Sequence, residues 1–152
     1  MKVLFLDIDG VLNSAFVLDE QRRGDAIDRG MVERINQIVD ATGCKIVISS
    51  TWRILHPLGQ LTTLLRQHGM RDVVIDKTPR LDATYFNRGD EILIWLGSRP
   101  DVDSFIAIDD SAGEFDKIRD RLVATTWKYG LQDEHVIKAI ALLNEKQDVQ
   151  SS

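Results

Sequence analysis

Residues 1–14 read MKVLFLDIDGVLNS. Val3-Leu4-Phe5-Leu6 is a continuous apolar run of strand length, and it leads straight into Asp7-Ile8-Asp9-Gly10. Apolar runs without alternation mark strands buried on both faces, as in parallel sheets. Open parallel sheets bind ligands outside the carboxyl ends of their strands, where these two acids fall. A spacing of two places both side chains on one face while the strand continues, and Gly10 permits a left-handed turn immediately afterward. Carboxylates held that close raise each other's proton affinity unless a cation lies between them. Oxygen ligands without neighbouring histidine or cysteine favour Mg²⁺, which pairs readily with substrate phosphate.

Strand-length apolar runs recur along the chain: Val3 to Ile8, Lys45 to Ile48, Asp72 to Ile75, Phe105 to Ile108 and Leu122 to Thr126. Between them lie segments with helical spacing, such as Met31, Ile35, Ile38 and Val39, then Leu58, Leu61, Leu64 and Leu65, then Ile92, Leu93 and Leu96. Phe115, Ile118 and Leu122 predict a helix before the fifth strand, and Glu134 to Lys146 a closing one. This alternation predicts an α/β fold of three layers, Rossmann-like, with a central, mostly parallel five-stranded sheet and helices on both faces. Ser14 to Ile27 and Thr78 to Asn87 keep neither period and read as loops or short flaps.

At 152 residues and 43% hydrophobic, the chain supports one core, so residues 1–146 read as one domain and 147–152 as a frayed polar tail. A net charge of -5 argues against coating nucleic acid or anionic membrane by bulk charge. Cys44 stands alone, cannot form an intramolecular disulfide, and reads as a small buried hydrophobe. With no apolar stretch of signal-peptide or membrane-spanning length, a cytoplasmic protein is expected.

Two further strand ends carry chemistry. Phe105-Ile106-Ala107-Ile108 runs into Asp109-Asp110-Ser111, a second acidic pair that meets the first if the two strands are neighbours. Ile46-Val47-Ile48 is followed by Ser49-Ser50-Thr51-Trp52-Arg53, hydroxyls and a guanidinium suited to an oxyanion. Arg88, ahead of the helical segment Gly89 to Leu96, and Lys77, after the third strand, supply further positive charge. Metal-binding acids, hydroxyls and cations together suit phosphoryl transfer. An aspartate can attack phosphorus, while a neighbouring acid protonates the leaving oxygen and later activates water.

The motifs VLFLDIDGVLN, KIVISSTWR, NRGDEILIWL and FIAIDDS, from Val3 to about Trp127, resemble the haloacid dehalogenase (HAD) superfamily of phosphohydrolases. The resemblance implies Asp7 as nucleophile, Asp9 as general acid/base, Ser49 holding the transferring phosphoryl group, and Arg88 stabilising its charge, with Lys77 as second choice for that role. It implies Mg²⁺ bound by Asp7, the Asp9 backbone carbonyl and Asp110, with Asp109 assisting. The strings SSTWR, KTP and RGDEI-x-x-WL look like the HAD domains of Swiss Army Knife RNA repair proteins. Short intervals around the second motif leave room for no more than a flap, as in capless members, which often act on polymer ends. Nucleic-acid end phosphates, RNA or DNA, are then the expected substrates, with Ser50, Arg53 and Lys77 binding them and Arg22, Arg23 and Trp52 as further contacts.

Each of these residues also has an ordinary structural reading: a cap or turn for Ser50 and Thr51, packing for Trp52, a surface ion pair for Arg53, and a solvated loop for Lys77 and for Arg22-Arg23. Trp95 and Trp127 read as core, and His56, His68 and His135 show no metal spacing. The alternative function is a noncatalytic HAD-like module that binds a phosphorylated ligand or protein partner.

Overall fold

In the computed structural model, which describes residues 1–15 and 27–145, the opening apolar run forms strand β1, Lys2–Leu6. It is followed by α1 (Arg29–Thr42), β2 (Lys45–Ile48), α2 (Trp52–Leu55), α3 (Leu58–Gln67), β3 (Val74–Lys77), α4 (Arg88–Gly97), β4 (Ser104–Asp109), β5 (Leu122–Ala124) and α5 (Asp133–Asn144). The strands form one five-stranded sheet in the order β3-β2-β1-β4-β5, parallel throughout. No helix among the described residues is long and apolar enough to cross a membrane.

The lack of alternation in the strands follows from burial on both faces. Leu4, Leu6, Ile46, Ile48, Ile106 and Ile108 pack with Ile35 and Ile38 of α1, Leu61 and Leu65 of α3, and Ala139 and Leu143 of α5. Val3, Phe5, Val47 and Ala107 face the other way, onto Ile92 and Trp95 of α4 and Phe115 and Ile118 beyond β4. Each odd-numbered side chain of β1 therefore points toward α4. Cys44 is buried in the first of these clusters, with no disulfide.

Caps fix the helix starts. The Asp28 side chain accepts the Met31 N–H to open α1, and Gly43, at φ 70°, closes it. Asn87 and Asp90 form a reciprocal capping box at α4, which makes Arg88 the first residue of that helix.

Several expected boundaries shift. β1 ends at Leu6 rather than Ile8, because the chain turns at once: the Val11 and Leu12 N–H groups both donate to the Ile8 carbonyl. β3 lies two residues later than expected, and Lys77 is its last residue. The helix expected before β5 is instead two short 3-10 turns, Ala112–Glu114 and Asp116–Arg121, the second kinked at Ile118. Trp127, read as core, is 45% exposed because β5 stops at Ala124 and the chain folds into a turn closed by Gly130 N–H on the Thr126 carbonyl. Most of the expected flap after Ser14, including Arg22 and Arg23, and the 147–152 tail lie outside the described residues.

Candidate active site

Register and side-chain parity build the site. Leu6 pairs with Ile48 on one side and Ile108 on the other. One residue on, Ser49 N–H donates to the Leu6 carbonyl (2.8 Å) and Asp7 N–H to the Ile108 carbonyl (3.1 Å). Asp7, Ser49 and Asp109 follow the inward-facing Phe5, Val47 and Ala107 by two residues, so the strand period aims all three toward α4. There Arg88 waits at the first turn. Its Nη1 lies 3.2 Å from Asp7 Oδ2 and 2.7 Å from Asp109 Oδ2, and its Nε lies 3.8 Å from Glu114 Oε2.

Burial dominates the electrostatics. Asp7 is 2% exposed, and desolvation, with repulsion from Asp109, pushes its carboxyl up to about 8 against the opposing pull of Arg88. Asp109 is likewise raised by burial, although Arg88 and the Ser111 N–H favour its charged form. For Arg88, burial opposes the charge, yet Asp109 and Asp7 outweigh it and hold the guanidinium firmly protonated.

Asp7, Asp109 and Asp110 each bring a carboxylate oxygen within 4.8 Å of the others. Asp7 Oδ1 and Ser49 Oγ are buried with no hydrogen-bond partner among the described residues. Orphaned buried oxygens are rare in folded proteins, and these two lie on adjacent strand ends. Carboxylates that repel, one with an unused oxygen, form a donor set that fits a hard divalent cation. The loop is also shaped around Asp110: Gly10 sits at φ 79°, and a Cβ there would fall 2.1 Å from Asp110 Oδ2. The Gly10 carbonyl accepts the Thr125 hydroxyl at 2.6 Å, so the backbone has little room to yield. Gly10→Ala is expected to displace the Asp110 carboxylate and weaken divalent-ion binding at least about tenfold, since the removal of even an outer-shell partner costs 10–100-fold. Calorimetric Mg²⁺ titration would show it; unchanged affinity would mean Asp110 is no ligand.

Asp9 stands apart from this cluster. Because the chain turns after Leu6, its side chain does not share the Asp7 face; Trp52 Nε1 donates to Asp9 Oδ2 and Asn13 Nδ2 to Oδ1, each at 3.0 Å. The Asn13 carbonyl oxygen also accepts the Gly10 N–H at 2.8 Å, so one side chain ties the turn to the carboxylate. A cavity of about 220 Å³ lined by Asp9, Thr51, Trp52 and His56 opens beside it.

The other expected substrate contacts are arranged differently. Ser50 is fully buried, and its hydroxyl accepts the Trp52 N–H at 3.2 Å, the turn role. Arg53 is 6% exposed, and its guanidinium is committed inside the protein: Nη2 to both oxygens of Glu91 (2.8 and 2.7 Å), Nη1 to the Ser50 carbonyl and Nε to the Thr78 carbonyl. That corrects both its expected phosphate contact and its alternative reading as a surface pair. Among the described residues Lys77 Nζ reaches only the Arg53 carbonyl, at 3.4 Å, away from the Arg88 cluster. Glu91 and Asn13 escaped the sequence reading. Asn13 has a signal in its spacing, four residues past Asp9; Glu91 has none, since its partner lies 38 residues away.

Glu91 also accepts the Leu81 N–H at 3.0 Å, so one buried pair locks the segment after β2 to the loop after β3. Arg53→Met leaves Glu91 buried and uncompensated. It is expected to cost about 3–5 kcal/mol in denaturant unfolding; a loss under ~1 kcal/mol would contradict the strut.

A parallel five-stranded α/β sheet with acids closing two adjacent strands, a serine closing a third and an arginine opening the covering helix defines a HAD-superfamily domain. Its family model, described as the HAD domain in Swiss Army Knife RNA repair proteins, matches residues 3–136, and the chain belongs to that family. No curated protein and no solved structure gives a significant match. The family fits a phosphatase-type activity, and the acidic cluster is compatible with a divalent metal.

Proposed function

We propose that the protein is a Mg²⁺-dependent phosphomonoester hydrolase that works through an aspartyl-phosphate on Asp7, with nucleic-acid end phosphates as its substrates. The observation that carries this reading is the pair of buried oxygens without partners among the described residues, Asp7 Oδ1 and Ser49 Oγ, on neighbouring strand ends beside Arg88. The RNA-repair context of the family supports the substrate class.

In this reading Asp7 Oδ1 attacks phosphorus, a P–O bond to Asp7 forms, and the ester P–O bond breaks as Asp9 gives its proton to the leaving oxygen. Asp9 then takes a proton from water, which attacks the phosphoryl group and restores the Asp7 carboxylate with release of inorganic phosphate. The Ser49 hydroxyl donates to a phosphoryl oxygen, and Arg88 offsets the equatorial charge. Trp52 and Asn13 hold Asp9 in place for both proton transfers. Mg²⁺, which Asp7, Asp110, Asp109 and the Asp9 backbone carbonyl would hold, supplies charge neutralisation to the phosphoryl oxygens.

The test is phosphate release from an aryl phosphate and from oligonucleotides phosphorylated at either end, with Mg²⁺ and with chelator. Mg²⁺-dependent release is the expected result. Well-folded protein that releases no phosphate from any of them, yet binds them, would favour the noncatalytic module instead.

A further inference from the structure

The loop after β3 is pinned at two points. Thr78 N–H donates to the Ile48 carbonyl at 2.9 Å, and Leu81 N–H to Glu91 Oε2 at 3.0 Å. Between these anchors Arg80 projects outward, exposed, and no carboxylate among the described residues pairs with it. Holding the backbone on both sides of an unpaired arginine pre-organises a cation at low entropic cost.

Arg80 lies in the wall of two cavities. The smaller, about 210 Å³, is also lined by Arg88, Thr51 and Phe86, and so reaches the arginine that faces Asp7 and Asp109. The larger, about 550 Å³, reaches Lys77, Ile94 and Trp95 at the β3 edge. Arg53, Ile54 and Arg80 line both, so the two cavities adjoin across these residues and together form a trough along this edge. Of the acids in its walls, Glu91 is paired with Arg53 and Glu114 lies 3.8 Å from Arg88, while Asp76 keeps its negative charge and accepts the Trp95 indole N–H and the Lys77 backbone N–H, both at 2.8 Å. The cations of the trough that pair with no carboxylate among the described residues are Arg80, toward the Arg88 end, and Lys77, at the end that also holds Asp76. Alongside it stand exposed apolar surfaces: Ile54 at 41%, Phe86 at 43% and Ile94 at 49%.

Cations spaced along a trough with an aromatic and aliphatic wall suit a polyanionic strand whose bases rest on the wall while its phosphates meet the cations. We infer that the trough is a second-phosphate subsite. With a terminal phosphate at Asp7 and Arg88, the adjoining diester phosphate of the same strand binds Arg80, and the strand continues toward Lys77. The inference rests on the reading of the Asp7 site as one for terminal phosphates.

Binding and turnover separate the two. Uridine dinucleotides with a 3′- or 5′-terminal phosphate are compared with the matching uridine monophosphates by calorimetric Kd and by KM. The second phosphate is expected to tighten binding about tenfold or more, as one charge-assisted contact allows. That gain disappears in Arg80→Ala, shrinks in Lys77→Ala, and survives in Arg80→Lys and in Lys138→Ala, which removes one charge from the opposite layer. On longer strands the salt slope of binding falls by about 0.7 in Arg80→Ala. Equal Kd for mono- and dinucleotide, or a gain that persists in Arg80→Ala, overturns the subsite even if phosphate is released. An Arg80-dependent gain without any turnover keeps the subsite and removes the hydrolase reading. Arg80-dependent binding of an acidic phosphopeptide, with none of the dinucleotide, overturns the strand assignment.

Discussion

Asp7→Asn is expected to lower phosphate release by roughly 10³-fold or more, because it replaces the attacking carboxylate by a neutral amide that is a far weaker nucleophile, rather than removing a contact that tunes it. The fold should survive the change. Asn keeps the shape of the side chain, Arg88 keeps its 2.7 Å bond to Asp109, and β1 keeps its burial on both faces. Apo stability should even rise, since a buried carboxyl that is held neutral only by protonation is replaced by a group that never ionises. The outcome to look for is a variant with higher apo melting temperature and no turnover. Full activity in folded Asp7→Asn would remove the aspartyl-phosphate mechanism; lost activity with lost folding would contradict the burial argument. Alkaline hydroxylamine trapping of the wild type offers an independent check, since only an acyl phosphate is sensitive to it.

The parts of the site legible in the sequence are those that depend on strand parity. Val3 and Phe5 face α4, so Asp7 does, and the same count carries Ser49 from Val47 and Asp109 from Ala107. Arg88 was legible because it stands just ahead of the helical segment Gly89 to Leu96, and the Asn87–Asp90 capping box makes it the first residue of that helix. What stayed hidden depends on where the backbone leaves its regular period. Asp9 follows the point where β1 turns, so a count of two no longer predicts its face, and Trp52 becomes its partner from 43 residues away. Arg53 looks like a phosphate ligand beside three hydroxyls until the fold delivers Glu91 to it. Long-range pairing of that kind has no local signature, and it moved the free cation from Arg53 to Arg80. The kinked turns before β5 were misread as one helix because Phe115, Ile118 and Leu122 keep helical spacing while burying against the sheet.

The second large effect concerns pH and metal together. In the unfolded chain Asp7 releases its proton near 3.8, whereas in the folded apo protein it holds the proton up to about 8. Between those values the folded state binds more protons than the unfolded state, so apo stability must fall as pH rises through that window and level off above it. At about 1.4 kcal/mol per pKa unit, the loss attributable to this carboxyl is on the order of 6 kcal/mol at most. Neighbouring charges, Asp109 above all, also contribute to any measured slope, so the quantity that isolates Asp7 is the difference between wild type and Asp7→Asn across pH 5 to 8. Mg²⁺ reverses the trend, because the cation takes the place of the proton. Its apparent affinity should rise about tenfold per pH unit below 8, as expected when binding releases one proton. Saturating Mg²⁺ at roughly 100 times its Kd should add about 2.7 kcal/mol to stability. Denaturant unfolding at pH 5, 6.5 and 8, with chelator and with Mg²⁺, measures each part. A difference between wild-type and Asp7→Asn apo stability that stays flat from pH 5 to 8 would show that Asp7 is ionised without metal. The cation would then serve only the substrate's charge and not the charge buried at the end of β1.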